Sequence, residues 1–438
     1  MQSVRSALRK LPPSTVIKVL RKAFAMPAKP ARLLLDDITK PRSSHKPYIR
    51  KVKSLEWNGC WIGEKVAGMD EMRLLERIER ADVIIFNVHG GGFRIGKPTM
   101  YMDTYIGWID QLKKTHNFDV LIMSVHYRLA PEYHYPSPVE DVVHAYEHLI
   151  NDLGVNPHKV ICTGDSAGAS LMLEMLFITH DPSMFEIVTE DDDGLDDASE
   201  PLVEELPRPA GAVFISPIVT DESTSQSWKD NVKHDYISQY TAKVIRRDYF
   251  DADPKNSDDN VPLSAQADNT AHSKNVLGIA KLQTGFQAFL PSHVLMYIGN
   301  LEVLRDDALE FAQKCKNDGV RWTTVAEDSV HDWFCVREVV KDKKILERAD
   351  RVFVDFVFNS ISEHRNMQSM LDISMRRRTS EGLHTVDEMD DEEEEDDDFH
   401  ETMTVDELGG TLDNLRLSAI STLRQNSTAS SNSSKLYF

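Results

Sequence analysis

Apolar residues recur along this chain in two rhythms. Short, nearly unbroken runs occupy 83–88, 120–125, 160–163, 212–216, 293–298 and 322–326. Between them lie longer stretches, 99–114, 139–152, 167–179, 306–317 and 332–358, whose apolar positions return at helical spacing. Apolar runs without polar alternation predict strands buried on both faces, and their alternation with helices predicts a mostly parallel sheet covered on both sides, an α/β fold. Sites in such sheets lie beyond the carboxyl ends of the strands. Residues 48–64 read as further strand, opening the sheet.

Two stretches interrupt this rhythm. Within 223–275, Trp228, Val232, Tyr236, Ile237, Tyr240, Val244 and Ile245 fall at helical spacing, followed by Asp/Asn/Ser clusters. This predicts an amphipathic helical insertion, read equally as a lid or as a helix fused to the flank of the core. Near the start, from Ser14 as N-cap, Val16, Ile17, Val19, Leu20 and Phe24 oppose Lys18, Arg21 and Lys22. Residues 1–35 carry eight Lys/Arg and no acid. A helix packed on the folded domain is the preferred reading, ahead of a membrane-surface anchor and a mitochondrial transit segment, the last weakened by Pro12-Pro13.

Hydrophobic residues are 41% of the 438, ample for a core. The net charge of −21 is confined to two appendages: 186–206 holds ten acids and no Lys or Arg, and 366–438 holds seventeen acids against six Lys/Arg. The remainder is neutral, so nucleic acid is not an expected partner. The first segment reads as a solvated acidic loop. The second, with its acidic run at 387–398 and Ser/Asn/Thr-rich end, reads as a disordered tail with room for protein partners. Cys60, Cys162, Cys315 and Cys335 show neither close pairing nor metal spacing, which favours a reducing compartment. No run of eighteen apolar residues occurs, so no membrane-spanning helix is expected, and the location read from this is cytoplasmic, with peripheral membrane contact through the basic N-terminal helix as an option.

The chemistry concentrates after three of the strands. Gly164-Asp165-Ser166-Ala167-Gly168 joins a β-branched run to a helical one. Glycines two residues to either side of Ser166 remove the Cβ atoms that would collide in so tight a reversal, and the Ala167 N–H at the new helix start is free for an anion. His89-Gly90-Gly91-Gly92-Phe93 follows the run at 83–88. Three glycines at a strand end let backbone N–H groups converge, as an oxyanion hole requires, and they lack the Lys-Ser/Thr of a phosphate loop. His331 stands between the last strand and the last long helix, whereas its rivals His126 and His134 lie in earlier loops. The acid falls in 299–307, where Glu302 lies in the loop itself, and Asp306 and Asp307 in the first helical turn. Loop placement favours Glu302, with Asp306 as the alternative.

Taken in order, His89–Phe93, Tyr127-Arg128-Leu129-Ala130-Pro131-Glu132 and Gly164–Gly168 resemble the hormone-sensitive-lipase-like (GDXG) lipase/esterase group of α/β-hydrolases. The resemblance covers about residues 80–360 and, in motif content, is similar to fungal steryl-acetate hydrolases. It implies an eight-stranded sheet with a cap made of the N-terminal helices (1–50) and the insertion at 223–275, on a hydrolase domain spanning 51–365. It also implies that Gly91, Gly92 and Ala167 supply the oxyanion donors and that Tyr127–Glu132 braces the site without chemistry. The chain departs from the family where Asp-Pro-Leu is usual and Glu302-Val303-Leu304 stands.

The expectation is a serine carboxylester hydrolase with Ser166 as nucleophile, His331 as base and Glu302 as acid, needing no cofactor or metal. Its substrate is expected to be a short-chain acyl ester of an apolar alcohol, a steryl acetate being one instance. The competing expectation is a ligand receptor on the same fold that has lost catalysis, or an interaction protein working through its acidic tail. Plant gibberellin receptors show the former within this family, but they lack the histidine present here as His331.

Overall fold

The computed structural model describes residues 11–184, 202–250 and 279–381. The acidic tail from 382, most of the acidic loop (185–201) and the second half of the insertion (251–278) lie outside the described residues. The chain divides into a unit Met1–Ile361 and a unit Ser362–Phe438, the latter described only over 362–381, where it is helical.

Eight strands form one sheet in the order β1-β2-β4-β3-β5-β6-β7-β8. They are β1 (Ile49–Lys53), β2 (Asn58–Ile62), β3 (Val83–Val88), β4 (Val120–Val125), β5 (Val160–Asp165), β6 (Gly211–Ile215), β7 (His293–Gly299) and β8 (Arg321–Glu327). From β4 to β8 all pairings are parallel, while β1 and β2 attach antiparallel. Every residue of β3, β4, β5 and β6 is buried, as apolar runs on a sheet covered on both faces must be. The chain order turns around β3, which has β4 on one side and β5 on the other. The crevice at the carboxyl ends of β3 and β5 is the place where such sheets hold ligands.

The region 48–64 is a hairpin rather than one strand, because Ser54 ties the chain back to Trp57 through its N–H at 3.1 Å and its hydroxyl at 3.0 Å. The helix expected over 139–152 is α-helical at Ser137–Glu147 and continues as a wider turn at His148–Asp152. The helix expected from 332 begins only at Lys343 and runs to Glu381. Asp332 has φ +53, which no helix accepts, and the Asp342 carboxylate accepts the Lys344 N–H at 2.9 Å, starting the helix there. The aromatic periodicity that suggested an earlier start is core packing. Trp333 and Phe334 are buried, Phe334 stacks on Tyr297 at 3.9 Å, and the Tyr297 hydroxyl donates to the Ala349 carbonyl at 2.8 Å. Burial of such rings, about 1.5–3 kcal/mol each, pins the chain just after His331. The described end of the acidic loop is also packed: Val203 and Leu206 are buried, and the Leu206 N–H pairs with the Thr179 carbonyl at 2.7 Å.

Helix α1 (Pro13–Ala25) starts one residue ahead of Ser14, with Pro13 in the first turn, where its missing N–H costs nothing. Its apolar face is covered by the chain itself, with Val16 and Ala23 buried. Arg21, on the face expected to meet solvent, donates its guanidinium to the carbonyls of Val232 and Asp235. Helix α2 (Ala28–Ile38) follows, and the insertion contributes two further helices, Gln226–Asn231 and Gln239–Phe250. The two segments meet over the crevice. Phe24 packs on Tyr236 at 5.4 Å, and buried Arg94 bonds Asp248 at 2.6 Å while donating to the Phe24 and Met26 carbonyls.

Candidate active site

Ser166 sits between β5 and the helix Ala167–His180 with φ +50 and ψ −116. A non-glycine residue in that region is strained by about 1–3 kcal/mol, and such outliers cluster at functional sites. The turn requires glycine two residues on, since a Cβ on Gly168 would stand 2.2 Å from the Val88 carbonyl oxygen. The Ser166 N–H is held by the Ile215 carbonyl at 2.8 Å. Ala167 opens the helix, so its N–H has no carbonyl one turn back.

The Oγ of Ser166 lies 2.8 Å from Nε2 of His331, and Nδ1 of His331 lies 3.0 Å from Oε2 of Glu302. All three side chains are buried. The other Glu302 oxygen accepts the Gly299 N–H at 2.8 Å, so the carboxylate is held from the end of β7. Asp306, the alternative acid, faces away, accepting the Ser227 N–H at 2.7 Å and pairing with Arg305 at 2.8 Å. Of the rival histidines, His134 bonds the Asp248 carbonyl at 2.8 Å and His126 stands beside His89 at 6.1 Å.

The glycine loop after β3 turns toward the serine. Gly91 has φ +113, and a Cβ there would lie 2.2 Å from the Ile95 carbonyl oxygen, so only glycine makes this turn. The loop is fastened by Asp165, whose Oδ1 accepts the Gly90 N–H and whose Oδ2 accepts the Tyr101 hydroxyl, both at 2.9 Å. Tyr127 braces it from behind, donating to the His89 carbonyl at 2.7 Å and stacking on the His89 ring at 4.4 Å.

Three buried carboxylates stand beside this site with no role assigned from the sequence: Asp165, Asp235 and Asp332. Adjacency to Ser166 and His331 was the available clue for Asp165 and Asp332; for Asp235 there was none. Asp332 Oδ2 lies 3.3 Å from His331 Nε2, its N–H bonds Ser216 Oγ at 3.0 Å, and its Oδ1 is buried with no partner among the described residues. Burial pushes Asp165 and Asp235 up to about 6, and Asp332 well above the usual carboxylate range. Burial pulls the His331 imidazole down, but Asp332, Glu302 and Asp235 outweigh it and leave its pKa at about 10.

Two apolar chambers reach this centre. One, of about 60 Å³, is lined by Gly92, Ser166, His331, Ile245 and Tyr249. The other, of about 110 Å³, is lined by Gly91, Leu20, Tyr101, Tyr236 and Asp332. Phe24 of α1 borders both.

An elbow serine, a glycine loop and a histidine after the last strand, on this sheet, define the class. The chain belongs to the alpha/beta hydrolase fold family, whose model matches residues 85–335. Within that family it is similar to hormone-sensitive-lipase-like esterases. It is 26% identical over 244 residues to an esterase of Acinetobacter venetianus, across 55% of this chain and 64% of that protein. It is 37% identical over 93 residues to the arylacetamide deacetylase of Rattus norvegicus, across 20% of this chain and 22% of the deacetylase. The chain thus spans less than two thirds of the length of these curated relatives. An esterase from the bacterial hormone-sensitive lipase family has a similar fold, with a TM-score of 0.56 at 22% identity, covering 80% of this chain and 98% of that one. Among the described residues no helix is long and apolar enough to cross a membrane.

Proposed function

We propose that this protein is a serine carboxylester hydrolase. The observation that carries the reading is the 2.8 Å separation of Ser166 Oγ and His331 Nε2, with Glu302 3.0 Å behind the imidazole. Ser166 Oγ attacks the ester carbonyl carbon and its proton passes to His331 Nε2. The oxyanion that forms is met by the N–H groups of Gly91, Gly92 and Ala167, which act on charge present only in the transition state. The bond to the alcohol oxygen then breaks, and Nε2 returns the proton to that oxygen. Water next loses a proton to Nε2 and attacks the acyl carbon; the acyl–Oγ bond breaks, Nε2 returns the proton to Oγ, and the carboxylic acid leaves with Ser166 restored. Glu302 holds the imidazole in the tautomer with Nε2 free to accept and stabilises the imidazolium.

The apolar lining of both chambers, one bordered by Gly91 and the other by Gly92, supports an ester apolar on both sides of its carbonyl. A short-chain acyl ester of an apolar alcohol, a steryl acetate among them, is the proposed substrate class. Release of p-nitrophenol from acetate and butyrate esters, compared with Ser166→Ala, tests the reaction. Absence of any Ser166-dependent turnover over a range of acyl lengths would refute it. Substrate profiling with apolar acetates then tests the alcohol.

A further inference from the structure

Asp235 is a buried carboxylate that the ester chemistry does not use. It comes from the insertion, is fully excluded from solvent, and serves three separate segments. Its Oδ1 accepts the N–H of Tyr236 at 2.7 Å and of Ile237 at 3.4 Å, closing a local turn. The same oxygen takes the backbone N–H of His331 at 3.4 Å, while Oδ2 takes that of Val303 at 2.9 Å. Val303 follows Glu302. One side chain therefore grips the backbone of the base and the backbone next to the acid.

The residues around it extend this grip. Asn231, also from the insertion, donates its amide to the carbonyl of Glu302 at 2.9 Å and of Asn300 at 3.1 Å. On the opposite side, Arg21 of α1 donates Nε to the Asp235 carbonyl at 3.0 Å. A turn at 235–237 alone does not account for a carboxylate here. Asn or Ser closes such a turn without charge, and a second carboxylate near Glu302 is costly in a buried site. The charge is offset by the neighbouring His331 and by four N–H groups that converge on it, two of them from the loops that carry His331 and Glu302.

We propose that Asp235 is a positioning residue: it holds the Glu302–His331 pair at reacting distance from the insertion side, so that the imidazole is aligned while the insertion and helix α1 are seated. This rests on the serine mechanism proposed above. A misplacement of about 1 Å at such a pair costs on the order of 100-fold in rate.

The test uses the full chain carrying Asp235→Ala, Asp235→Asn or Arg21→Met. The readouts are kcat and KM with p-nitrophenyl butyrate, thermal unfolding, and the low-field proton resonance of the His331 Nδ1–H shared with Glu302. In Asp235→Ala, kcat is expected to fall about 10- to 100-fold with KM within about 3-fold, and the resonance to shift or vanish in a folded protein. Asp235→Asn, which keeps the shape and one acceptor, should fall less, and Arg21→Met less again, in the same sense. Unchanged kcat and an unmoved resonance in folded Asp235→Ala, or a loss expressed in KM alone, would overturn the proposal. Should Asp235→Ala not fold, the resonance in Asp235→Asn and Arg21→Met decides in the same way. Should the parent protein show the resonance but no Ser166-dependent turnover, the ester reading fails by itself, and the resonance alone judges Asp235.

Discussion

Oε2 of Glu302 lies 3.0 Å from Nδ1 of His331, although the two residues come from loops after different strands, β7 and β8. The extra methylene of glutamate is accommodated because the carboxylate folds back on its own loop, its second oxygen taking the Gly299 N–H. Asp306, one helical turn on, is committed to the N–H of Ser227. Glu302→Gln is therefore expected to lower kcat by about 10³- to 10⁴-fold, by the same loss of tautomer control that an acid-to-amide change produces in other triads. Asp306→Asn should stay within about 3-fold of the parent. Steady-state kinetics of the two variants checks the assignment, and the reverse order would transfer the role to Asp306.

Gly168→Ala should fold poorly. Its Cβ would meet the Val88 carbonyl oxygen at 2.2 Å and the His89 carbonyl oxygen at 2.5 Å, both backbone atoms at the carboxyl end of β3. A loss of more than about 2 kcal/mol is expected, within the roughly 1–3 kcal/mol that forcing extra atoms into a packed site typically costs. Chemical denaturation measures it; a loss below half that figure would mean that β3 yields to the new methyl.

The acid limb of the rate profile should respond to Asp332. A base must be neutral to accept the Ser166 proton, and the carboxylates around His331, Asp332 first among them, outweigh burial and push its pKa up. Rate therefore rises with pH as that proton leaves. Asp332→Asn removes one of the charges that favour the imidazolium, so the acid limb of kcat/KM should move to lower pH. A profile that stays in place or moves upward contradicts this.

Arg94 and Asp248 form a buried pair that joins the glycine loop to the insertion, at 2.6 Å. Among the described residues, Asp248→Ala leaves the buried Arg94 charge the Phe24 and Met26 carbonyls alone to meet it. Removing one partner of such a pair costs about 3–5 kcal/mol. Unfolding curves should show this loss, and limited proteolysis should find new cuts within 223–250; intact resistance with unchanged stability would argue that the pair contributes little.

Phe24 borders both apolar chambers. Phe24→Ala should join them and raise kcat/KM for octanoate relative to acetate esters by roughly 10-fold, the scale at which apolar pockets discriminate chain length. Acyl-length profiling of the two proteins checks it, and an unchanged profile would remove Phe24 from selectivity.

Much of this protein was legible from pattern alone. Unbroken apolar runs such as 83–88 and 120–125 mark strands of a parallel sheet because both faces must be buried, and local spacing suffices to read that. The elbow at Ser166 and the glycine loop at Gly91 and Gly92 were legible for a related reason: tight turns restrict residue type within a few positions. The start of the last helix was not, because Trp333 and Phe334 obey the packing of Tyr297 and the helix behind it rather than a helical period.

What only the tertiary structure decided are the meetings of distant residues. Sequence placed Glu302 and Asp306 in the same short stretch, but which carboxylate faces His331 depends on how the loop after β7 folds against the loop after β8. Asp235 and Arg21 gave no sign at all, since a lone aspartate in an insertion and a basic residue on an amphipathic helix have ordinary local explanations. Their roles arise from burial and hydrogen bonds across 68 to 214 residues of chain, and no local pattern encodes such contacts.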